Sequence, residues 1–362
     1  MVASSRPEPI TLVFKSINGL DLALDVYAPK SVDSAAIPAL IYFHGGGLTV
    51  GDRASWFPLW LYERLAKEGI AFISADYRLM PPSYGPDILS DTLDAVKFVR
   101  SDINGALDTL GSNIAIDAER IGVAGTSAGS LCAYLAAAHL QPRPQVVLSL
   151  CGMGGNMFTK HLVTRKTEPF WKGYEMLDPR AEPYAAFTHP HCLQLPALAS
   201  SPLAFHGPDS PTPGYPANPR MQLARLYIQE GIYADYWAGV HEPSLSGRVA
   251  ALLEDGADVD AINAWLREEL PEEAVALFPQ LLIGDGWPPS ILVHGEQDTA
   301  VHADESKYLH SKMVRAGAHA ELRVLPGEEH SFDYSPGADG RYGGPGGLYD
   351  ELVGFVSKYL RA

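Results

Sequence analysis

The chain is poor in cysteine, in charge and in long apolar runs. Only three cysteines occur among 362 residues, Cys132, Cys151 and Cys192, with no C-x-x-C pair and no metal-like spacing. So sparse and odd a set excludes a disulfide framework and points to reduced thiols inside a cell. No apolar stretch approaches the roughly 20 residues that a membrane helix needs. Met1–Pro7 lacks the apolar core of a signal peptide, and none of the six asparagines stands in an N-x-Ser/Thr sequon. The expectation is a cytoplasmic protein with no membrane attachment. Cations are scarce too, 27 Lys and Arg against 43 Asp and Glu, for a net charge of −16. Phosphate backbones repel such a chain, which excludes nucleic acid as a partner. Half of the excess lies between Glu242 and Asp285, where ten acids meet only Arg248 and Arg267. That run reads as a solvated helical face.

What is present is apolar: 46% of the residues are hydrophobic, enough for one large or two ordinary domains. The 34 glycines and 29 prolines follow no collagen period and fit a loop-rich globular protein. Ile10–Ile17 and Leu20–Tyr27 read as strands joined by Asn18-Gly19, a two-residue hairpin signal. Strands at Pro38–Phe43, Ile70–Asp76, Arg120–Ala124 and Val146–Leu150 then alternate with helices at Phe57–Lys67, Asp87–Ile103 and Ser127–His139. Strands that are apolar throughout, separated by helices, imply a mostly parallel sheet covered on both faces. From Gly152 to Trp287 the alternation stops. It resumes with Ser290–His294, a helix near Asp304–Ala316, Ala320–Leu325 and Leu348–Leu360. The middle segment reads as an insertion between two strands, a cap or lid.

The strongest chemical signal is Gly125-Thr126-Ser127-Ala128-Gly129, which follows a strand and opens an apolar helix. A serine on so sharp a turn exposes its hydroxyl, and the crowding there demands small neighbours. The rival reading is a helix N-cap serine after a glycine turn. His44-Gly45-Gly46-Gly47 follows the Pro38–Phe43 strand and frees backbone N–H groups to hold an oxyanion. A nucleotide loop is the competitor, but no Lys-Ser/Thr follows and no G-x-G-x-x-G is present. A serine nucleophile needs a base, and the base an orienting acid. His330 stands in the loop after the last strand, and Asp298 lies shortly after Ser290–His294, with Glu296 and Asp304 as rival acids. The order Ser127, Asp298, His330 is that of the α/β-hydrolase architecture.

On these segments, with Asp76-Tyr77-Arg78-Leu79-Met80-Pro81, the chain resembles the hormone-sensitive-lipase-like (type IV) family of α/β-hydrolases. The resemblance implies Ser127 as nucleophile, His330 as base and then acid, and Asp298 as the residue fixing the imidazole. It implies an oxyanion hole of the Gly45, Gly46 and Ala128 N–H groups, with Asp76, Arg78 and His44 as braces. The chain departs from the family at Leu48, where an aromatic is usual, at Ser130, where a glycine commonly ends the elbow, and in the position of its insertion. Aromatics flank the presumed site, among them Trp56, Phe57, Trp60, Phe170, Trp171 and Tyr236.

The expectation is an α/β-hydrolase fold, residues 1–151 and 288–362 forming the catalytic domain and 152–287 the inserted cap. Its function would be hydrolysis of small to medium carboxylic esters without metal or organic cofactor, Leu48, Trp56, Tyr233 and Trp237 touching the substrate. A lactonase, a deacetylase or an acyltransferase of a specialised metabolite would use the same triad. A ligand-binding receptor on a dead scaffold is the alternative outside enzymes, and the presence of His330 speaks against it. A homodimer through the sheet edge rests on the resemblance alone.

Overall fold

The computed structural model describes residues 6–29 and 36–361; the ends of the expected catalytic domain, at 1–5 and 362, and most of the Met1–Pro7 stretch lie outside them. Eight strands form one sheet: β1 (Ile10–Ile17), β2 (Leu20–Tyr27), β3 (Ile37–Phe43), β4 (Ala71–Ala75), β5 (Ile116–Thr126), β6 (Val147–Leu150), β7 (Ser290–Gly295) and β8 (Ala320–Leu325). Their order is β1-β2-β4-β3-β5-β6-β7-β8. β1 and β2 pair antiparallel, β2 pairs antiparallel with β4, and every later pairing is parallel. Asn18 and Gly19 both take positive φ, 51° and 81°, as a tight hairpin matched to strand twist requires.

Successive strand residues point to opposite faces, so a strand covered on both sides must be apolar at every position. β3 shows it: all seven residues are buried. Ala39, Ile41 and Phe43 join the core on one face, while Leu40 and Tyr42 join the core on the other. Helices Gly85–Ser101 and Gly129–His139 cover the first face, and Leu59–Lys67 and Leu348–Leu360 the second. The helix expected from Asp87 begins at Gly85. Pro86 suits a first helical turn, and the Asp87 side chain accepts from the Tyr84 amide at 3.3 Å. It ends at Ser101, and a second helix, Ile103–Thr109, follows.

Between β6 and β7 the chain leaves the sheet and forms short helices, among them Arg220–Gln229, Tyr233–Ala238, Leu245–Glu254 and Val259–Glu269. Four of the ten acids of the acidic run, Glu254, Asp260, Glu268 and Glu269, lie in the last two, and the others flank or follow them. Ser244 and Asp258 cap them by accepting from Gly247 and Ala261 at 2.9 and 2.8 Å. Among the described residues no helix is long and apolar enough to cross a membrane.

The glycines of the elbow are dictated by contact distance. A Cβ on Gly129 would sit 2.1 Å from the Phe43 carbonyl oxygen, and one on Gly125 would sit 2.2 Å from the Gly129 oxygen. Both obstacles are backbone, so neither can rotate away. Gly129→Ala is expected to destabilise the fold by about 3 kcal/mol, an overpacking effect, read as a lowered melting temperature. An unchanged melting temperature would mean that the end of β3 yields freely.

Candidate active site

β5 delivers Thr126 into a turn, and Ser127 adopts φ 52°, the left-handed conformation that lifts its hydroxyl above the sheet edge. The Ser127 amide donates to Leu150 O at 2.8 Å, which ties the elbow to the end of β6. Ser130, in place of the family's glycine, donates from its buried hydroxyl to Gly125 O at 2.8 Å. It also accepts from Ser149 Oγ at 3.1 Å, and Ser149 pairs with the Tyr134 hydroxyl at 2.5 Å. This departure therefore fastens the elbow with a polar network.

The loops after β7 and β8 bring Asp298 and His330 to the same point. His330 Nε2 lies 2.9 Å from Ser127 Oγ, and His330 Nδ1 lies 2.6 Å from Asp298 Oδ2. Asp298 Oδ1 accepts from the Ala300 and Val301 amides at 2.9 and 2.8 Å. Burial alone would raise the Asp298 pKa, but the charge and hydrogen bond of His330 and the hydrogen bond of His294 outweigh it. They hold the carboxyl well below the usual carboxylate range. His294 is positioned for this: its Nε2 donates to Val301 O at 2.8 Å and lies 3.1 Å from Asp298 Oδ2. The rival acids Glu296 and Asp304 make no contact with His330 among the described interactions.

Cys151 Sγ, an Asp298 oxygen and a His330 nitrogen lie within 4.8 Å of one another. Burial pushes the Cys151 thiol far up, so it stays protonated, and the other two groups already bind each other. The cluster is the back of the triad.

Opposite Ser127, the loop after β3 presents its backbone. A Cβ on Gly45 would lie 3.3 Å from Ser127 Cβ, and Gly46 takes φ 98° with Val50 O only 2.3 Å from where a Cβ would stand. The amide N–H groups of Gly45, Gly46 and Ala128 have no acceptor among the described residues. Gly45 and Gly46 line the same cleft as Ser127, and Ala128 follows Ser127 in the chain.

The loop is held from beneath. His44 Nδ1 donates to Gly45 O at 2.8 Å, and burial pushes the ring's pKa down to about 4, so it stays neutral. Tyr77 stacks on it with centroids 4.4 Å apart and donates to His44 O at 2.7 Å. Asp76 accepts from Arg53 N and Nη1 at 2.9 and 2.7 Å, while Arg78 pairs with Asp91 at 2.7 Å. None of these side chains lines the cleft.

That cleft holds about 810 Å³ of empty space, its mouth included. Its walls are the loop after β3 with Val50 and Trp56, Ser127 and His330 with Ser331, Tyr334 and Val301, and residues after β6. Trp56 and Tyr233, expected at the substrate, both line it. The Tyr233 hydroxyl also donates to Gly47 O at 2.9 Å. Leu48 and Trp237 do not line it, and the expectation for them is corrected. Leu48 takes φ 61°, which turns its side chain wholly into the core. Trp237 is equally buried, and its indole donates to Leu277 O at 3.1 Å.

The lining residues that had not been singled out include Val50, Val301, Tyr334, Met153, Met221, Ala224, Arg225 and Ile228. The last four stand at i, i+3, i+4 and i+7 of Arg220–Gln229, one helix face, and that spacing was the available signal.

Under the cleft, Glu305 is fully buried and accepts from the Gly154 and Gly155 amides at 2.7 and 3.1 Å, behind Met153. Burial pushes its pKa up to about 8. A carboxyl raised from its ordinary value on folding favours the native state while protonated. That stability is lost as pH climbs from about 4.5 to 8. Glu305→Gln keeps an acceptor oxygen without the charge. Its melting temperature, relative to that of the parent protein, is expected to rise between pH 5 and pH 9. A flat difference would count against a buried ionisation.

Comparisons with known proteins fit this geometry. A BD-FAE family model matches residues 24–146, and a prolyl oligopeptidase family model matches 279–360. The two matches take up opposite parts of the sheet and leave out most of the segment between β6 and β7. A butyrate-bound esterase, Est2 of Thermogutta terrifontis, superposes over 98% of this chain and 94% of its own, with TM-score 0.57 and 18% identity. The same enzyme phosphonylated by sarin superposes with TM-score 0.52 over 92% of this chain and 89% of its own, also at 18% identity. The chain has the α/β-hydrolase fold. Curated relatives of the chain include the non-reducing polyketide synthase mapC' of Penicillium brevicompactum, 26% identical over 90% of this chain and 14% of the synthase. Another is ascC of Acremonium egyptiacum, 27% identical over 97% of this chain and 16% of the synthase. The chain thus spans about a seventh of the length of the curated relatives it matches. The family matches and the esterase neighbours agree with the hormone-sensitive-lipase-like resemblance of its motifs.

Proposed function

We propose that the protein hydrolyses carboxylic esters through an acyl-enzyme on Ser127. The carrying observation is the hydrogen-bonded chain Ser127–His330–Asp298, with Ser127 and His330 in the wall of a cleft that Gly45 and Gly46, their amides without acceptors among the described residues, also line. Ser127 Oγ attacks the ester carbonyl while His330 Nε2 takes its proton, and Asp298 holds Nδ1–H so that Nε2 is free to accept. The new oxyanion takes hydrogen bonds from Gly45, Gly46 and Ala128, each worth about 3 kcal/mol in the transition state. The alcohol leaves with the proton from Nε2. Water then attacks the acyl-enzyme by the same route and releases the acid.

A second reading is favoured by the polyketide synthase relatives, which match nearly the whole chain. Polyketides are acyl chains, so the physiological donor would be an ester or thioester of such a chain, released to water or passed to another alcohol. Nothing in the triad distinguishes these outcomes, because the cleft decides what enters.

The test is labelling by a fluorophosphonate, together with turnover of p-nitrophenyl esters from acetate to dodecanoate, with and without a competing alcohol. Labelling of the parent protein but not of Ser127→Ala, with Ser127-dependent turnover, supports the reading. A mixed ester among the products would move it to acyl transfer. A folded protein that neither labels nor turns over would overturn it.

A further inference from the structure

The cleft has one permanently charged side chain in its wall, Arg225, and no aspartate or glutamate. In a chain with 43 acids, the company it keeps is unusual. Arg53, Arg78, Arg120 and Arg323 each pair with carboxylates at 3 Å or closer. Arg220, on the same helix, donates to the carbonyls of Thr49 and Pro81. Among the described residues Arg225 has neither kind of partner. Its Nη2 donates to the neutral Gln222 amide oxygen at 2.7 Å, its guanidinium lies 5.5 Å from the Tyr174 ring centroid, and its Nε is buried without an acceptor.

A half-buried guanidinium with most of its donors unused is unfavourable until an anion arrives, and its planar fork fits a carboxylate with two parallel hydrogen bonds. The surrounding wall is apolar: Val50, Trp56, Met153, Trp171, Met221 and Ile228. An occupant that satisfies both features has an apolar body and an anionic end. Met221, Ala224, Arg225 and Ile228 share one helix face, so cation and apolar surface meet the same ligand.

We propose that Arg225 is a specificity residue that selects anionic esters, with an apolar body in the cleft and a carboxylate on the guanidinium. This rests on the ester-hydrolase reading and names the substrate class of that site. Charged hydrogen bonds of about 2 kcal/mol correspond to a preference of about 30-fold.

Two matched series test it. One compares p-nitrophenyl half-esters of succinate, glutarate and adipate with the same esters methylated at the free carboxyl. The other compares 3- and 4-acetoxybenzoate with their methyl esters, placing the charge on the leaving alcohol. The expected result is a higher kcat/KM for the anionic member of at least one series. Its ratio to the neutral member should fall about 30-fold in Arg225→Gln, mostly through KM, and recover in part in Arg225→Lys. An equal ratio in parent and Arg225→Gln, or preference for the neutral member throughout both series, would overturn the proposal. Calorimetry of the half-esters on Ser127→Ala, with and without Arg225→Gln, reads the anion site without turnover. Charge-selective binding there with no hydrolysis would sink the ester-hydrolase reading alone. Turnover of neutral esters without any anion preference would sink this one alone.

Discussion

Ser127→Ala is expected to lower kcat/KM roughly 10⁶-fold on any ester the parent protein cleaves, leaving a residue of about 10³-fold over water. The loss is large because the hydroxyl, 2.9 Å from His330 Nε2, is the group that forms the acyl-enzyme. Alanine keeps the Cβ, so the turn at φ 52° and its amide bond to Leu150 persist. The Gly45, Gly46 and Ala128 amides also remain, and they account for the residual rate. Stopped-flow and long-incubation assays on purified variant, with unchanged circular dichroism, measure it. A loss smaller than about 100-fold would put the nucleophile elsewhere.

Asp298→Asn is expected to cost roughly 10⁴-fold in kcat with the fold intact. The direction of every hydrogen bond dictates this. Asp298 Oδ1 accepts from two amides, at 2.9 and 2.8 Å, so the asparagine carbonyl takes that place. Its NH2 then faces His330 Nδ1, where Oδ2 now lies at 2.6 Å. Nδ1 must become an acceptor, the proton moves to Nε2, and the ring can no longer take the Ser127 proton. Fluorophosphonate labelling should slow in parallel. A loss under tenfold would mean that the carboxylate's charge and tautomer control matter little here.

That Ser127, Asp298 and His330 come together was legible in the sequence because each sits past a strand end, and strands rich in apolar residues are easy to place. Ser127 and Asp298 follow largely buried strands, His330 follows the half-buried β8 with its Glu321 and Arg323, and a parallel sheet brings those ends together. Trp56 and Tyr233 were found by residue type near those motifs. The same rule failed for Leu48 and Trp237, since nothing local shows which way a side chain turns. Leu48 points inward because of a positive φ. Trp237 points inward because its indole has a carbonyl to meet at Leu277, forty residues on. The helix Arg220–Gln229 carried a readable stripe, but its facing partner, the loop after β3, lies far back in the chain. A Cβ on Gly47 would stand 2.2 Å from Ala224 Cβ, a closeness that only the fold reveals.

That closeness has a consequence for descent. Thr49 Oγ1 donates to Arg220 O at 3.0 Å, Arg220 Nη1 returns a bond to Thr49 O at 3.2 Å, and Gly51 and Ser201 exchange backbone bonds. The segment that shapes the cleft is thus stitched to the loop that carries the oxyanion amides. A lineage could not trade one such segment for another wholesale, as a module is swapped. Selectivity here has to be inherited with its supports and altered residue by residue.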